Sequence, residues 1–359
     1  MHQAWWKLLG VLILVYAFVA GMLTPLKPNL LSVDPRVAAP GRELVLEVTG
    51  YNTNFTAGEN RAWLRAGEGR GLAAREVAVI DDRRARLTFE LPATLPEPGD
   101  DAARLSLVMN NAADGAFVSP DALLLRTKNP APAAPPNDDD AWTATAIRKG
   151  ELTATPHTTF PYRGLLAETI RNTYFHVSLW FAMMFLFIAA VTYAIKHLRR
   201  DELTARDRAD DWSRAFTGVG MLFGILGLLT GAVWAKYTWG SYWSWDIKQF
   251  TTLIALLIYA GYFVLRSSFR DPEQQARLAA VYNIFAFVCL IPLIYILPRL
   301  SGNSLHPGAA GNPAMGGEDL DNTMRMVFYP TIIGWTLFGG WMVTLAYRIR
   351  RRAAALLLR

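Results

Sequence analysis

Six apolar stretches constrain this 359-residue chain more than any other feature, since runs of this length are suited to a bilayer and not to water. They cover residues 5–23, 174–195, 215–235, 250–265, 278–297 and 326–346. The shortest, 250–265, suffices only if its aromatic ends reach the interface. Cations gather in blocks between them. Lys196, Arg199, Arg200, Arg206, Arg208 and Arg214 separate the second stretch from the third, Arg266, Arg270 and Arg277 the fourth from the fifth, and Arg348, Arg350, Arg351 and Arg352 follow the last. By the positive-inside rule these blocks are cytoplasmic, and an even number of spans then places both termini inside. The formal net charge of +6 is explained by these loops and gives no sign of nucleic-acid binding. Phe18-Val-Ala20 makes a poor cleavage site, so the first stretch reads as a retained helix that sends the chain outside from about Lys27.

The pattern changes between the first two stretches. Leu44, Leu46 and Val48 alternate with Glu43 and Glu47, Leu87, Phe89 and Leu91 with Arg86 and Glu90, and Leu105, Leu107 and Met109 form a third set. Period two broken by Gly, Pro, Asn and Asp clusters predicts short strands in an antiparallel sandwich. Residues 128–161, with Pro-Ala-Pro-Ala-Ala-Pro-Pro and Asn-Asp-Asp-Asp140, read as an extended linker in which His157 is solvated. The expected fold class is therefore a polytopic α-helical membrane protein of six transmembrane helices. An extracytoplasmic all-β, immunoglobulin-like sandwich is inserted between the first and second. The divisions are 1–26, 29–127, 128–161 and 162–359.

The chemistry converges on the outer side. Trp239-Gly-Ser-Tyr-Trp-Ser-Trp-Asp246 lies between the third and fourth helices, His176 near the start of the second, and His306 between the fifth and sixth. Wound as a short helix, 239–246 would set Trp239, Tyr242, Trp243 and Asp246 on one face, a flat platform ending in a carboxylate. Interfacial Trp and Tyr also collect into aromatic belts that bind nothing, and that alternative stands beside the first. Asp246, followed by Gln249, equally fits a capping box at the start of the fourth helix. Gly220, Gly224, Gly227 and Gly231 along the third helix read as close helix packing. Pro292 predicts a kink in the fifth. Apart from Lys7 at the start of the first, the apolar runs contain no Asp, Glu, Lys or Arg of the kind that marks an ion pathway.

WGSYWSWD, with Trp234 upstream, Tyr-Phe-His176-Val and Asn-Ser-Leu-His306, resembles the tryptophan-rich (WWD) haem-handling family of cytochrome c maturation, its CcmC branch in particular. The likeness covers about 165–350 well and 1–25 loosely. It implies a haem b held without a covalent bond, His176 and His306 as axial ligands of the iron, and Trp239, Tyr242, Trp243, Trp245, Asp246 and Lys248 as the residues around the macrocycle. The single cysteine, Cys289, leaves no Cys-x-x-Cys-His site for covalent attachment. Lys236, Lys248, Arg299 and Arg325 are the outer cations within reach of propionates.

The resemblance further implies the bacterial inner membrane, a periplasmic site, a periplasmic haem chaperone as recipient, and the ATP-binding-cassette (ABC) transporter subunits of the maturation system as neighbours. Such a protein transfers haem rather than acting as a conventional enzyme, and needs no nucleophile of its own. Where the family usually has Asp-Ala-Arg this chain has Asp-Ile-Lys248, with Tyr242 in place of Trp and Pro307 in place of Gln. Residues 40–55 resemble the opening of an IPT/TIG-type immunoglobulin-like domain. Two rivals remain: a b-type cytochrome subunit of a respiratory complex, and a membrane-anchored scaffold whose working part is the sandwich.

Overall fold

The computed structural model describes residues 4–67, 69–96, 101–127, 141–148, 150–164, 166–301, 304–306 and 320–357. It divides into two compact units, Met1–Leu23 with Glu168–Arg359, and Thr24–Ala167.

The second unit contains two β-sheets around one core. Its strands are β1 (Asn29–Asp34), β2 (Val37–Ala38), β3 (Glu43–Tyr51), β4 (Arg61–Arg65), β5 (Gly71–Ala73), β6 (Glu76–Val79), β7 (Arg84–Glu90), β8 (Ala102–Asn111) and β9 (Gly115–Arg126). One sheet runs β1-β3-β7-β6 and the other β2-β9-β8-β4-β5. The alternation in the sequence is the cause: in β3, Leu44, Leu46 and Val48 point inward and pair across the ladder with Phe89, Leu87 and Ala85 of β7. The buried face joins Leu105, Leu107, Met109 and Phe117 of the other sheet. Where the chain enters and leaves the unit the two segments pair: Lys27 N–H donates to Phe160 O at 2.7 Å and Phe160 N–H to Pro25 O at 2.9 Å. An insertion between two helices needs its ends close together, and this pairing supplies that.

The stretch expected as linker differs from that expectation. Residues 128–140 lie outside the described residues, but 141–161 are attached to the sheets. Trp142, in the short helix α2 (Ala141–Ala144), is fully buried in the same core and donates from Nε1 to Thr94 O at 2.9 Å. Thr153 is bound to the β8–β9 ladder on both sides: Ala116 N–H donates to Thr153 O, and Thr153 N–H to the side-chain Oδ1 of Asn110, each at 2.8 Å. A large apolar ring outweighs the extended preference of its proline-rich surroundings.

The first unit is helical, and six of its helices are long and apolar enough to cross a membrane, so the chain is a multi-pass membrane protein. They are α1 (Trp5–Leu23), α3 (Ser178–Arg199), α4 (Leu203–Trp239), α5 (Ile247–Ser268), α6 (Pro272–Ile291) and, after the one-turn α7 (Leu297–Leu300), α8 (Asn322–Leu357). Tight approach is permitted by small residues: a Cβ on Gly10 would meet Leu337 of α8 at 2.9 Å, and one on Gly220 would meet the Phe187 ring of α3 at 2.7 Å. Two helices are locally widened. Pro292, which cannot donate a backbone bond, opens a π-turn (Pro292–Ile296) that closes with Leu297 N–H donating to Pro292 O. The other π-turn, Thr173–Val177, precedes α3 and contains His176.

Helix α4 begins twelve residues before the apolar run that predicted it, because Asp210, Asp211 and Arg214 are helical rather than loop residues. Asp210 is buried and paired with Arg266 of α5, Nη1 to Oδ1 at 2.7 Å, so charge enters the bundle at the end where the arginines gather. Trp142→Ala is expected to destabilise the sheet unit by about 3–5 kcal/mol, the usual cost of truncating a buried Trp. Limited proteolysis of the full-length variant checks it: cleavage within residues 29–126 should accelerate while the helical unit stays intact.

Candidate functional site

The loop between α4 and α5 is set by backbone conformation before any side chain is considered. Gly240 adopts φ +81°, a left-handed cap that ends α4 with Gly240 N–H donating to Lys236 O at 3.1 Å. Residues 240–246 are therefore not helical, and the expected single face does not form. Trp239 stays at the end of α4, half-buried. Tyr242 is exposed, with Lys236 Nζ 5.7 Å from its ring centroid. Trp243 and Trp245 meet edge to face at 5.8 Å. Trp245 is 72% exposed and has φ +56°, where a bulky side chain costs about 1–3 kcal/mol.

Asp246 closes the loop. It caps α5, accepting from Lys248 N–H at 2.9 Å, while Gln249 turns away from a capping box: its Oε1 accepts from Ser244 N–H and from Ser244 Oγ, each at 3.1 Å. The same carboxylate binds the segment before α8. Ser304 Oγ donates to Oδ2 at 2.9 Å, Leu305 N–H to Oδ2 at 2.6 Å, and His306 Nδ1–H to Oδ1 at 2.8 Å. Burial alone would raise the Asp246 pKa, but the His306 bond, the backbone donors and the neighbouring imidazole outweigh it and hold the carboxyl well below its ordinary range. A carboxylate only accepts, so the His306 proton sits on Nδ1 and Nε2 keeps its lone pair. That imidazole stands edge-on to Trp239, with centroids 4.9 Å apart.

His176 is oriented by different means to the same end. Its Nδ1 lies 3.1 Å from Thr230 Oγ1, whose own proton goes to the carbonyls of Leu226 and Gly227 at 2.9 and 3.0 Å. The hydroxyl must then accept from Nδ1–H, which again leaves Nε2 as the free donor atom. Trp180 and Trp234 flank the ring edge-on at 6.1 and 5.7 Å. Gly231 seats it, since a Cβ there would stand 2.6 Å from His176 Cε1. The glycine read as helix packing thus makes room for an imidazole.

His306 and Lys248 both lie within electrostatic range of His176. Lys248 is also within electrostatic range of Asp246 and Arg299. Lys236 is diverted, donating from Nζ to Gly240 O at 2.9 Å, and Arg325 Nη1 donates to Asn322 Oδ1 at 3.0 Å. Pro307 lies outside the described residues. His197 is buried at the opposite, arginine-rich end, its Nδ1 3.0 Å from Arg206 O. Among the described residues no three His, Cys, Asp or Glu converge on a bare metal ion. Two imidazoles beside indole rings instead fit a metal whose equatorial ligands come with it, as in a metalloporphyrin.

Sequence reasoning missed Thr230, Ser304 and Trp180. Only Trp180 left a signal, its i+4 spacing from His176.

Comparison with known proteins supplies the family. The family described as cytochrome C assembly protein matches residues 144–306, a segment that ends on His306. A heme exporter protein C of Paracoccus denitrificans is 30% identical over 191 residues, 51% of this chain and 72% of that protein. Its namesake in Bradyrhizobium diazoefficiens is 34% identical over 151 residues, 41% of this chain and 56% of the relative, so that match spans little more than half of the relative's length. A cytochrome c biogenesis protein CcsA of a Synechococcus species is 37% identical over 105 residues, 29% of this chain and 33% of that protein. With 72% of the Paracoccus protein covered at 30% identity, the chain belongs to the heme exporter protein C family of cytochrome c assembly proteins.

Proposed function

We propose that this protein binds haem at the periplasmic face of a bacterial inner membrane and delivers it to a periplasmic haem chaperone during c-type cytochrome biogenesis. The observation that carries the reading is the matched pair of imidazoles. His176 and His306 come from distant parts of the chain, each has Nδ1 occupied by a fixed acceptor, and each keeps Nε2 free. They are the proposed axial ligands of a non-covalent haem b, with Trp239, Tyr242, Trp243 and Trp245 against the macrocycle and Lys248 toward a propionate. The name heme exporter protein C borne by the relatives supports haem as cargo, and ABC transporter subunits of the maturation system are the proposed neighbours. The clustering of arginines at the opposite end of the bundle supports a periplasmic site and cytoplasmic termini. The two-sheet unit is then extracytoplasmic, and its alternating strands support an immunoglobulin-like, IPT/TIG-type spacer or interaction module.

Bound haem supplies the iron that the imidazoles grip and the vinyl edge that the recipient attacks. The chain's own contribution is orientation. Asp246 and Thr230 fix the tautomers, Gly231 fixes the seat of His176, and the exposed indole of Trp245 leaves one side of the loop facing outward. His306 is held by a hydrogen-bonded loop rather than inside a helix, and that favours a ligand that lets go over the permanent helix-borne pair of a b-type cytochrome.

Three outcomes follow. His176→Ala and His306→Ala should each bleach or shift the Soret band of purified protein and abolish haem transfer to an apo-chaperone on mixing; wild-type spectra and transfer in both variants would remove the ligand assignment. Asp246→Ala should weaken haem retention by roughly 10–100-fold, the usual cost of losing the partner that orients a metal ligand. The pH dependence has a definite sign. A carboxyl with a depressed pKa contributes its full tie above the ordinary value of about 4, and loses it only as pH falls through the lower folded value. Haem retention attributable to Asp246, taken as the ratio of wild type to Asp246→Ala, should therefore stay constant from pH 8 down to about 5.

A further inference from the structure

The end of the bundle opposite the histidines holds a cluster of guanidinium groups that haem handling does not use. Asp210, Asp211 and Arg214 on α4, Tyr262 and Arg266 on α5, and Arg350 and Arg351 on α8 act on one another electrostatically. Helices α5 and α8 both pack on α4 rather than on each other, so the three rows of side chains meet over α4. Four cations face two carboxylates, and the pairing is uneven. Arg266, 6% exposed, takes Asp210 through both terminal nitrogens and also donates to Tyr262 Oη at 3.3 Å. Arg351 reaches Asp211 at 3.5 Å. Arg214 is half-buried, and among the described residues neither it nor Arg350 has a hydrogen-bonded carboxylate.

Two donors in the cluster are enclosed and lack an acceptor among the described residues, Arg350 Nη1 and Arg266 Nε. A buried guanidinium N–H without an acceptor is costly, and like charges around it add to the cost. An oxyanion that accepts several N–H bonds at once removes both penalties, and a guanidinium fork matches phosphate geometry. Beside the cluster the helices turn exposed apolar residues outward, Phe263 and Val264 on α5 and Leu345 and Ile349 on α8. A charged head site bordered by apolar helix surface fits one amphiphile better than a free ion.

We propose that Arg214, Arg266 and Arg350 bind the phosphate of an anionic membrane lipid, whose acyl chains lie along α5 and α8. The site is independent of the haem reading. It ties three helices together at the arginine-rich end, where basic pockets between spans recognise anionic head groups.

The test uses the purified full chain, stripped of lipid in neutral detergent. Native mass spectrometry and thermal unfolding are followed on adding phosphatidylglycerol, phosphatidylcholine or inorganic phosphate. Phosphatidylglycerol should bind in preference to phosphatidylcholine and raise the unfolding temperature, and Arg214→Gln and Arg350→Gln should each weaken its binding roughly fivefold. Arg350→Lys, which keeps the charge, should lose less and serves if Arg350→Gln folds poorly. Equal binding of the two lipids, or unchanged preference in both Gln variants, would overturn the proposal. Millimolar inorganic phosphate that reproduces the stabilisation would reassign the site to a free anion. Arginine-dependent capture of an acidic membrane protein without lipid preference would reassign it to that partner.

Discussion

One carboxylate joins the pieces of the end that carries His176 and His306. Asp246 is nearly inaccessible, and its two oxygens accept from the start of α5 and from Ser304, Leu305 and His306. Without it, Ser304, Leu305 and His306 lose their hydrogen bonds to the start of α5, and the orientation of the His306 ring is no longer defined. A group that caps a helix and also orients a ligand satisfies two demands at the cost of one buried charge. Four donors around that charge are what make its burial tolerable. The capping that the sequence offered for Asp246 is present, and the same carboxylate also orients the His306 ring.

His176 reaches an equivalent state without any carboxylate. It lies in a π-turn, where the backbone is widened by one residue, and a hydroxyl one helix away fixes its proton. Gly231 gives the ring space, and Trp180 and Trp234 border it. Charged orientation for one imidazole and neutral orientation for the other make the pair unequal. Under the proposed function, His306, tied by hydrogen bonds outside any helix, is the ligand whose release requires the smaller rearrangement, and His176, seated between helices, is the one that stays.

Much of this was legible from hydropathy. The first apolar run and α1 coincide, and the inward leucines of β3 and β7 follow their period-two pattern. What escaped has physical reasons. The turn containing Asp210 looks like loop because its charge is matched by Arg266, 56 residues away, which no local window detects. The aromatic loop was expected to wind as a helix, and the left-handed Gly240 prevents it; a glycine in sequence permits that conformation without announcing it. Trp142 lay in a stretch whose composition argues for extension, yet one buried ring decides its position. Thr230 was invisible because a hydroxyl that orients a distant histidine leaves no spacing signal, and Ser304, though inside Asn-Ser-Leu-His306, gave no sign of its bond to Asp246.

The central claim is that two imidazoles from separate segments hold one haem iron together. Low-temperature electron paramagnetic resonance of the oxidised, haem-loaded protein tests it most directly. A low-spin ferric signal of the bis-imidazole type, replaced by a high-spin signal in the His306→Ala protein, is the result predicted. A high-spin signal in the wild-type protein, or a low-spin signal indifferent to loss of either histidine, would contradict it.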